Sequence, residues 1–363
     1  MSGVQSETSV KSGLIEGFFG RPWSFEDRAM YATFLAEAGY DFYIYAPKKD
    51  PNLRREWQKP WPAATRRQMD SLRHRYAETG VRFGLGLSPF ELYREPWSVA
   101  RDALRRKLEE LKPFEPEILG LFFDDMRGDL PDLAQKQVDM AHLCAEYLSE
   151  AQILLCPTYY SFDPILDQVF GQRPDRYLET LGQRLDTTLN MFWTGPEVCS
   201  THYPEEHLQQ VETLLQRKPF LWDNYPVNDG KKISRFLHLR PFQHDTALLS
   251  RYLSGHGANP MNQPGLSQIP LWTLPQNYRE GYNAEHAWQE SLERFCHPRV
   301  ATALADDLEA LQDQGLDEMG TERKQRLQKK YAQLAQDYHS VQAQEVADFL
   351  DEQYAFDPAC LTD

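Results

Sequence analysis

Two adjacent carboxylates, Asp124 and Asp125, follow the apolar run Ile118-Leu119-Gly120-Leu121-Phe122-Phe123. Neighbouring carboxyls do not ionise with equal ease, so one tends to keep its proton while the other stays charged. That equips a pair for general acid–base chemistry. Two other readings stand beside it. Acidic residues also cap helices and fill solvated turns, and carboxylates ligate metals. A metal site would call for further ligands at regular spacing, and the ten histidines contain no HxH or HExxH pattern.

A second group is Trp222-Asp223-Asn224-Tyr225-Pro226-Val227-Asn228-Asp229. An aromatic ring beside amide and carboxylate groups on a short stiff loop suits a sugar, with stacking on its apolar face and hydrogen bonds to its hydroxyls. The same residues are also the ordinary vocabulary of a turn with a core tryptophan. Single candidates are Lys48 in Tyr45-Ala46-Pro47-Lys48, Tyr160 in Cys156-Pro157-Thr158-Tyr159-Tyr160, and Gly17 in Glu16-Gly17-Phe18-Phe19-Gly20. Each could equally be packing, a solvated charge or a tight turn.

Such groups work together only if the fold brings them to one place. From Gly13 to about Trp272 short apolar runs alternate with helical patterns, close to eight times, which is the mark of β/α units around a parallel sheet. The expected strands are Leu14 to Phe19, Asp41 to Ala46, Arg82 to Leu87, Ile118 to Phe123, Ile153 to Pro157, Thr188 to Trp193, Phe220 to Trp222 and a weak eighth, His256 to Asn259. A helix is expected over Ser24 to Ala38, with Ser24 as its N-cap. The candidates lie near the ends of expected strands or just after them, and in a (β/α)₈ barrel the C-terminal strand ends build the active site. The fold class is therefore α/β, a (β/α)₈ TIM-type barrel followed by a small C-terminal helical region.

The 363 residues suffice for one barrel with an appendage. We divide them into a disordered N-terminal tail (1–12), a barrel (13–280) and a C-terminal helical region (281–363), with Val300 to Gln314 and Arg323 to Tyr354 as helical segments. A hydrophobic content of 41% is globular, and a net charge of −15 without a basic cluster argues against nucleic acid. Five cysteines without a CxxC pair read as reduced thiols of a cytoplasmic protein. Neither a signal-like segment nor a stretch of membrane-spanning length stands out, so no membrane partner is expected. The charged C-terminal helices are a candidate surface for homo-oligomers.

Taken together, the motifs resemble glycoside hydrolase family 84, the protein O-GlcNAcases and related bacterial β-N-acetylglucosaminidases, some historically called hyaluronidases. The resemblance is carried in order by Gly13-Leu14-Ile15-Glu16-Gly17-Phe18-Phe19-Gly20-Arg21-Pro22-Trp23, Tyr45-Ala46-Pro47-Lys48, Phe123-Asp124-Asp125, Cys156-Pro157-Thr158, Trp193-Thr194-Gly195-Pro196, Trp222-Asp223-Asn224 through Asn228-Asp229, and Ala258-Asn259-Pro260-Met261. It implies a barrel that cleaves β-linked N-acetylglucosamine with retention, without metal or organic cofactor. The substrate's own acetamido group would be the nucleophile, passing through an oxazoline.

By that resemblance Asp124 orients the acetamido group, and Asp125 is the general acid and then the general base. Gly17 through its backbone, Lys48, Asn224, Asp229 and Asn259 would bind sugar hydroxyls. Tyr160 would lie beside the acetamido group and Trp222 in the pocket wall. Residue 19 is Phe where the family often has Tyr, and Lys48 is preferred over its neighbour Lys49. The implied partner is a β-GlcNAc glycoside or glycoprotein. Alternatives are a hexosaminidase acting on glycan or cell-wall fragments, an inactive GlcNAc-binding barrel, and a scaffold acting through its C-terminal helices.

Overall fold

The computed structural model describes residues 10–354 and 356–362. Eight parallel strands close into a barrel in sequence order: β1 (Ser12–Glu16), β2 (Phe42–Tyr45), β3 (Arg82–Leu87), β4 (Ile118–Phe122), β5 (Gln152–Cys156), β6 (Asn190–Trp193), β7 (Phe220–Asp223) and β8 (Gly255–Ala258). Most are short, nearly unbroken apolar runs, as expected of strands buried between a filled interior and an outer ring of helices. The ring closes where Gly13 of β1 pairs with Gly257 of β8. Small residues are needed on this side because two large ones fill it. A Cβ on Gly13 would lie 2.2 Å from the Phe42 ring, and one on Gly255 would lie 2.1 Å from Phe220.

The helices that brace the sheet start and stop on local signals. In Phe25–Ala38, Ser24 and Asp27 form a capping box, and Gly39, at φ 93°, ends the helix in the left-handed region. Its buried face is tied to β1 by a buried ion pair, Arg28 to Glu16, at 2.7 and 2.9 Å. Tyr43 donates to the same carboxylate.

The eight strand expectations hold in place; β3 coincides with its expected bounds and the other seven differ at one or both ends. β1 begins at Ser12 and stops at Glu16, leaving Gly17-Phe18-Phe19 as loop, and β8 runs one residue earlier than expected. β6 starts at Asn190, because Asp186 Oδ1 accepts from the backbone and hydroxyl of Thr188 and holds that residue in a turn. The tail expected over residues 1–12 falls mostly on residues 1–9, which lie outside the described residues, while Ser12 already belongs to the sheet.

Beyond the barrel come helices Ala284–Phe295, Pro298–Asp306, Thr321–Tyr338 and Val341–Leu350, with a π-helical turn over Glu309–Gln314. They enclose an apolar cluster of their own, including Leu304, Leu311, Tyr331, Val346 and Phe349, which also takes in Leu266 and Ile269 from the helix after β8. The single helix expected over Arg323 to Tyr354 is two helices. His339 at φ 48° ends the first, and Ser340 caps the second by accepting from Ala343 N at 3.2 Å. The second is pinned to the barrel by Glu345, whose carboxylate oxygens accept from Gly265 N at 2.9 Å and Leu266 N at 2.7 Å. No helix among the described residues is long and apolar enough to cross a membrane.

Candidate active site

A pocket at the C-terminal ends of the strands is lined by Asp124, Asp125, Tyr160, Trp222, Asn224, Asp229 and Asn259. Successive side chains on a strand point to opposite faces, so two neighbouring aspartates can share a pocket only past the strand's end. β4 ends at Phe122, and Asp125 turns into the left-handed region at φ 54°, which is uncommon for a residue with a Cβ. Both carboxylates are thereby enclosed, each 7% exposed.

Lys48 reaches the pair from the loop after β2. Its ammonium touches Asp124 Oδ2 and stands 3.6 Å from Asp125 Oδ2, with the side chain 3% exposed. Burial alone would lower the lysine's pKa, but the two carboxylates outweigh it and hold the ammonium charged. For Asp125 burial is the largest influence and pushes the carboxyl up to about 6; Lys48 pulls it down and Asp124 pushes it up again. Asp124 Oδ1 is buried and has no hydrogen-bond partner among the described residues. It is an acceptor in want of a donor.

The opposite wall is a hydrogen-bonded chain across the seam of the barrel. Gly17 N–H donates to Asn259 Oδ1 at 3.2 Å, Asn259 Nδ2 to Asn224 Oδ1 at 3.1 Å, and Trp222 Nε1 to the same oxygen at 2.9 Å. Asn224 Nδ2 donates in turn to Val198 O at 2.8 Å. The Trp222 ring is wedged edge-on against Phe122 and Phe192, with centroids 5.3 and 5.2 Å away, and it passes so close to Gly17 that a Cβ there would meet it at 2.5 Å. At the rim Asp229 Oδ2 accepts from Phe19 N at 2.7 Å, and burial pushes its carboxyl up to about 7. Asn228 donates to Gln263 and accepts from Asn262 N, stapling the β7 loop to the β8 loop.

The sequence model of the beta-N-acetylglucosaminidase family matches residues 12–311. The chain belongs to this family of glycoside hydrolases. The match agrees with the motif resemblance to glycoside hydrolase family 84. The chain is 29% identical over 282 residues to the protein O-GlcNAcases of Rattus norvegicus and Mus musculus, an alignment that covers 75% of this chain and 30% of each relative. It therefore spans under a third of the length of these curated relatives. Among solved structures it is similar to an aspartate-to-asparagine variant of the Thermobaculum terrenum O-GlcNAc hydrolase, with a TM-score of 0.74 and 29% identity over 93% of this chain and 74% of that one. CpGH84B, at 23% identity, shares the fold with a TM-score of 0.72, over 94% of this chain and 66% of its own.

Within this barrel every expected site residue lies at or beside the pocket: Gly17 and Lys48 back its walls and the others line it. Lys49 turns outward and pairs with Asp357. In the sequence reading residue 19 counts only as a departure from Tyr, and Arg54 beside the pocket escaped it. Phe19 lines the cavity with its ring 5.6 Å from Lys48 Nζ and 5.5 Å from the Arg54 guanidinium. Arg54 is buried and donates to the backbone oxygen of Asp125 at 3.3 Å, bracing the left-handed turn.

Behind Asn224 the buried Asp223 carboxylate bridges His244 and His256 at 2.8 and 3.0 Å, a cluster with the donor types of a metal site. Burial alone would raise the Asp223 carboxyl, but the two imidazoles hold it well below the usual range. As built it is a hydrogen-bonded brace for the end of β7. Its members are 21 and 12 residues apart along the chain, counted from 223 to 244 and from 244 to 256, so no local motif could reveal it.

Proposed function

We propose that the protein is an exo-acting, retaining β-N-acetylglucosaminidase that uses its substrate's acetamido group as the nucleophile. The observation that carries this reading is the unequal pair: Asp124 in contact with the Lys48 ammonium and carrying an unpartnered buried oxygen, and Asp125 raised to about 6. Asp124 Oδ1 accepts a hydrogen bond from the acetamido N–H and aims the acetamido oxygen at the anomeric carbon. As that C–O bond forms and the glycosidic bond breaks, Asp125 gives its proton to the departing oxygen. Asp125, now a carboxylate, takes a proton from water. The water oxygen bonds to the anomeric carbon, the oxazoline opens, and two inversions leave the configuration retained.

In the same reading Asp229, Asn224, Asn259, Lys48 and the Gly17 carbonyl hold the hydroxyls, Trp222 forms the apolar wall, and Tyr160 lies against the acetamido group. The steps draw on no metal or organic cofactor. The widely spaced cysteines, with no CxxC pair, fit a reducing, cytoplasmic setting, and Val341, exposed at the start of the last helix, offers a surface for self-association. The natural substrate we favour is a GlcNAc-modified protein, by likeness to the O-GlcNAcases. A glycan or cell-wall fragment would use the same sugar pocket.

The test is hydrolysis of an aryl β-N-acetylglucosaminide by the wild type and Asp124→Asn, with and without a thiazoline that mimics the oxazoline. Turnover that the thiazoline blocks and the variant loses supports the proposal. Folded protein that binds N-acetylglucosamine without turnover would make the barrel a binding module instead. Relative rates on a GlcNAc-modified peptide and on chitobiose then decide the substrate class.

A further inference from the structure

Residues 356–362 leave the C-terminal helices without helix or strand and end inside the pocket. Cys360 and Thr362 line it together with Asp124, Asp125 and Asp229; both are buried, while Leu361 between them is 49% exposed. Thr362 Oγ1 lies 3.4 Å from the Tyr160 hydroxyl, the group assigned above to the acetamido side of a sugar. The segment holds its own shape. Cys360 N–H and Ala359 N–H return to Asp357 at 2.9 and 3.0 Å, and the Cys360 thiol donates to Thr362 O at 3.2 Å. With these residues in place the cavity measures about 50 Å³. Small-molecule sites usually span about 300–1,000 Å³. A pyranose and this segment cannot share the pocket.

The attachment is of a kind that can be undone. Its outer anchor is an ion pair, Lys49 Nζ to Asp357 Oδ2 at 2.8 Å, with the lysine half exposed, so water and salt weaken it. None of residues 356–362 belongs to any of the apolar clusters that hold the barrel and the C-terminal helices. Inside the pocket the Thr362 hydroxyl meets the Tyr160 hydroxyl at 3.4 Å, and the Cys360 thiol is engaged by the segment's own Thr362 carbonyl. Burial, then Asp229 and Asp125, push the Cys360 thiol far up, so it stays neutral and unreactive while it sits there.

We propose that residues 356–362 are an internal strap that occupies the sugar pocket and competes with the glycoside for it. Apparent affinity is then the intrinsic affinity scaled by the fraction of molecules whose strap is out. The identity of the competing ligand rests on the function proposed above; the occupancy of the pocket by the strap does not.

The experiment reads the strap through Cys360. Iodoacetamide labelling at that residue, located by peptide mass, is compared between the wild type and Asp357→Lys, which places like charge beside Lys49. Labelling at least tenfold slower in the wild type is expected. The KM for an aryl β-N-acetylglucosaminide should fall by a similar factor in Asp357→Lys, and in a chain ending at residue 355, with kcat little changed. Equal labelling rates would overturn the strap, and so would protection of Cys360 with a KM that neither variant lowers. If the chain ending at residue 355 fails to fold, Asp357→Lys supplies both readouts. If no form turns over the glycoside or binds the thiazoline by calorimetry, the glycosidase reading falls, and Cys360 protection alone decides whether the strap occupies the pocket.

Discussion

The Lys48 ammonium touches Asp124 and stands 3.6 Å from Asp125 Oδ2, so one enclosed cation serves two carboxylates unequally. Asp125 is the acid of the proposed mechanism and acts in its protonated form. Its pKa is raised to about 6, so that form predominates below this value and is lost as pH rises through it. The alkaline limb of kcat/KM should have its midpoint near 6. Lys48 holds Asp125 down, so Lys48→Met should carry the limb to higher pH by about 1–2 units. A pH profile of both proteins checks this; a limb that stays or moves down would remove Lys48 from the control of Asp125.

Asp125→Asn keeps the shape of the side chain and removes its transferable proton. Turnover of a glycoside with a poor leaving group should fall about 10²–10⁴-fold. An activated aryl glycoside, whose leaving group departs without a proton, should lose much less. Equal losses on the two substrates would contradict the acid role.

Gly17→Ala adds a methyl 2.5 Å from the Trp222 ring, which Phe122 and Phe192 keep from yielding. Overpacking of this kind costs about 1–3 kcal/mol. Thermal unfolding should show that loss, and thiazoline affinity should drop by more than tenfold as the ring is pushed into the pocket. Unchanged affinity would mean that Trp222 is not part of the sugar wall.

Glu345→Ala leaves the N–H groups of Gly265 and Leu266 without their acceptor in a buried junction. An unsatisfied buried group costs about 1–3 kcal/mol, so a loss of about 2–4 kcal/mol in unfolding free energy is expected by chemical denaturation. A loss below 1 kcal/mol would show that the last helix docks through its apolar face alone.

What could be read from the sequence was whatever is encoded locally. The barrel was legible because strands such as Phe42–Tyr45 and Ile118–Phe122 are apolar runs set between helical patterns, and Ser24 signals its own helix. The pocket was legible because its residues follow strand ends within recognisable motifs. The break at His339 and Ser340 was missed, since a serine inside a charged helical pattern reads as one more polar position until its capping bond to Ala343 is seen. Arg54, the Asp223–His244–His256 brace and the return of Cys360 and Thr362 to the pocket had no local signal. Each depends on the closed barrel, which brings distant segments together.

The chain of hydrogen bonds from Gly17 through Asn259 to Asn224 crosses the seam between the first strand and the last. During synthesis β8 is the last strand to emerge, so this wall of the pocket is completed only when the ring shuts. Ligand binding is thus a report on ring closure, and a fragment lacking either edge of the seam would keep its aspartates but have no pocket in which to use them.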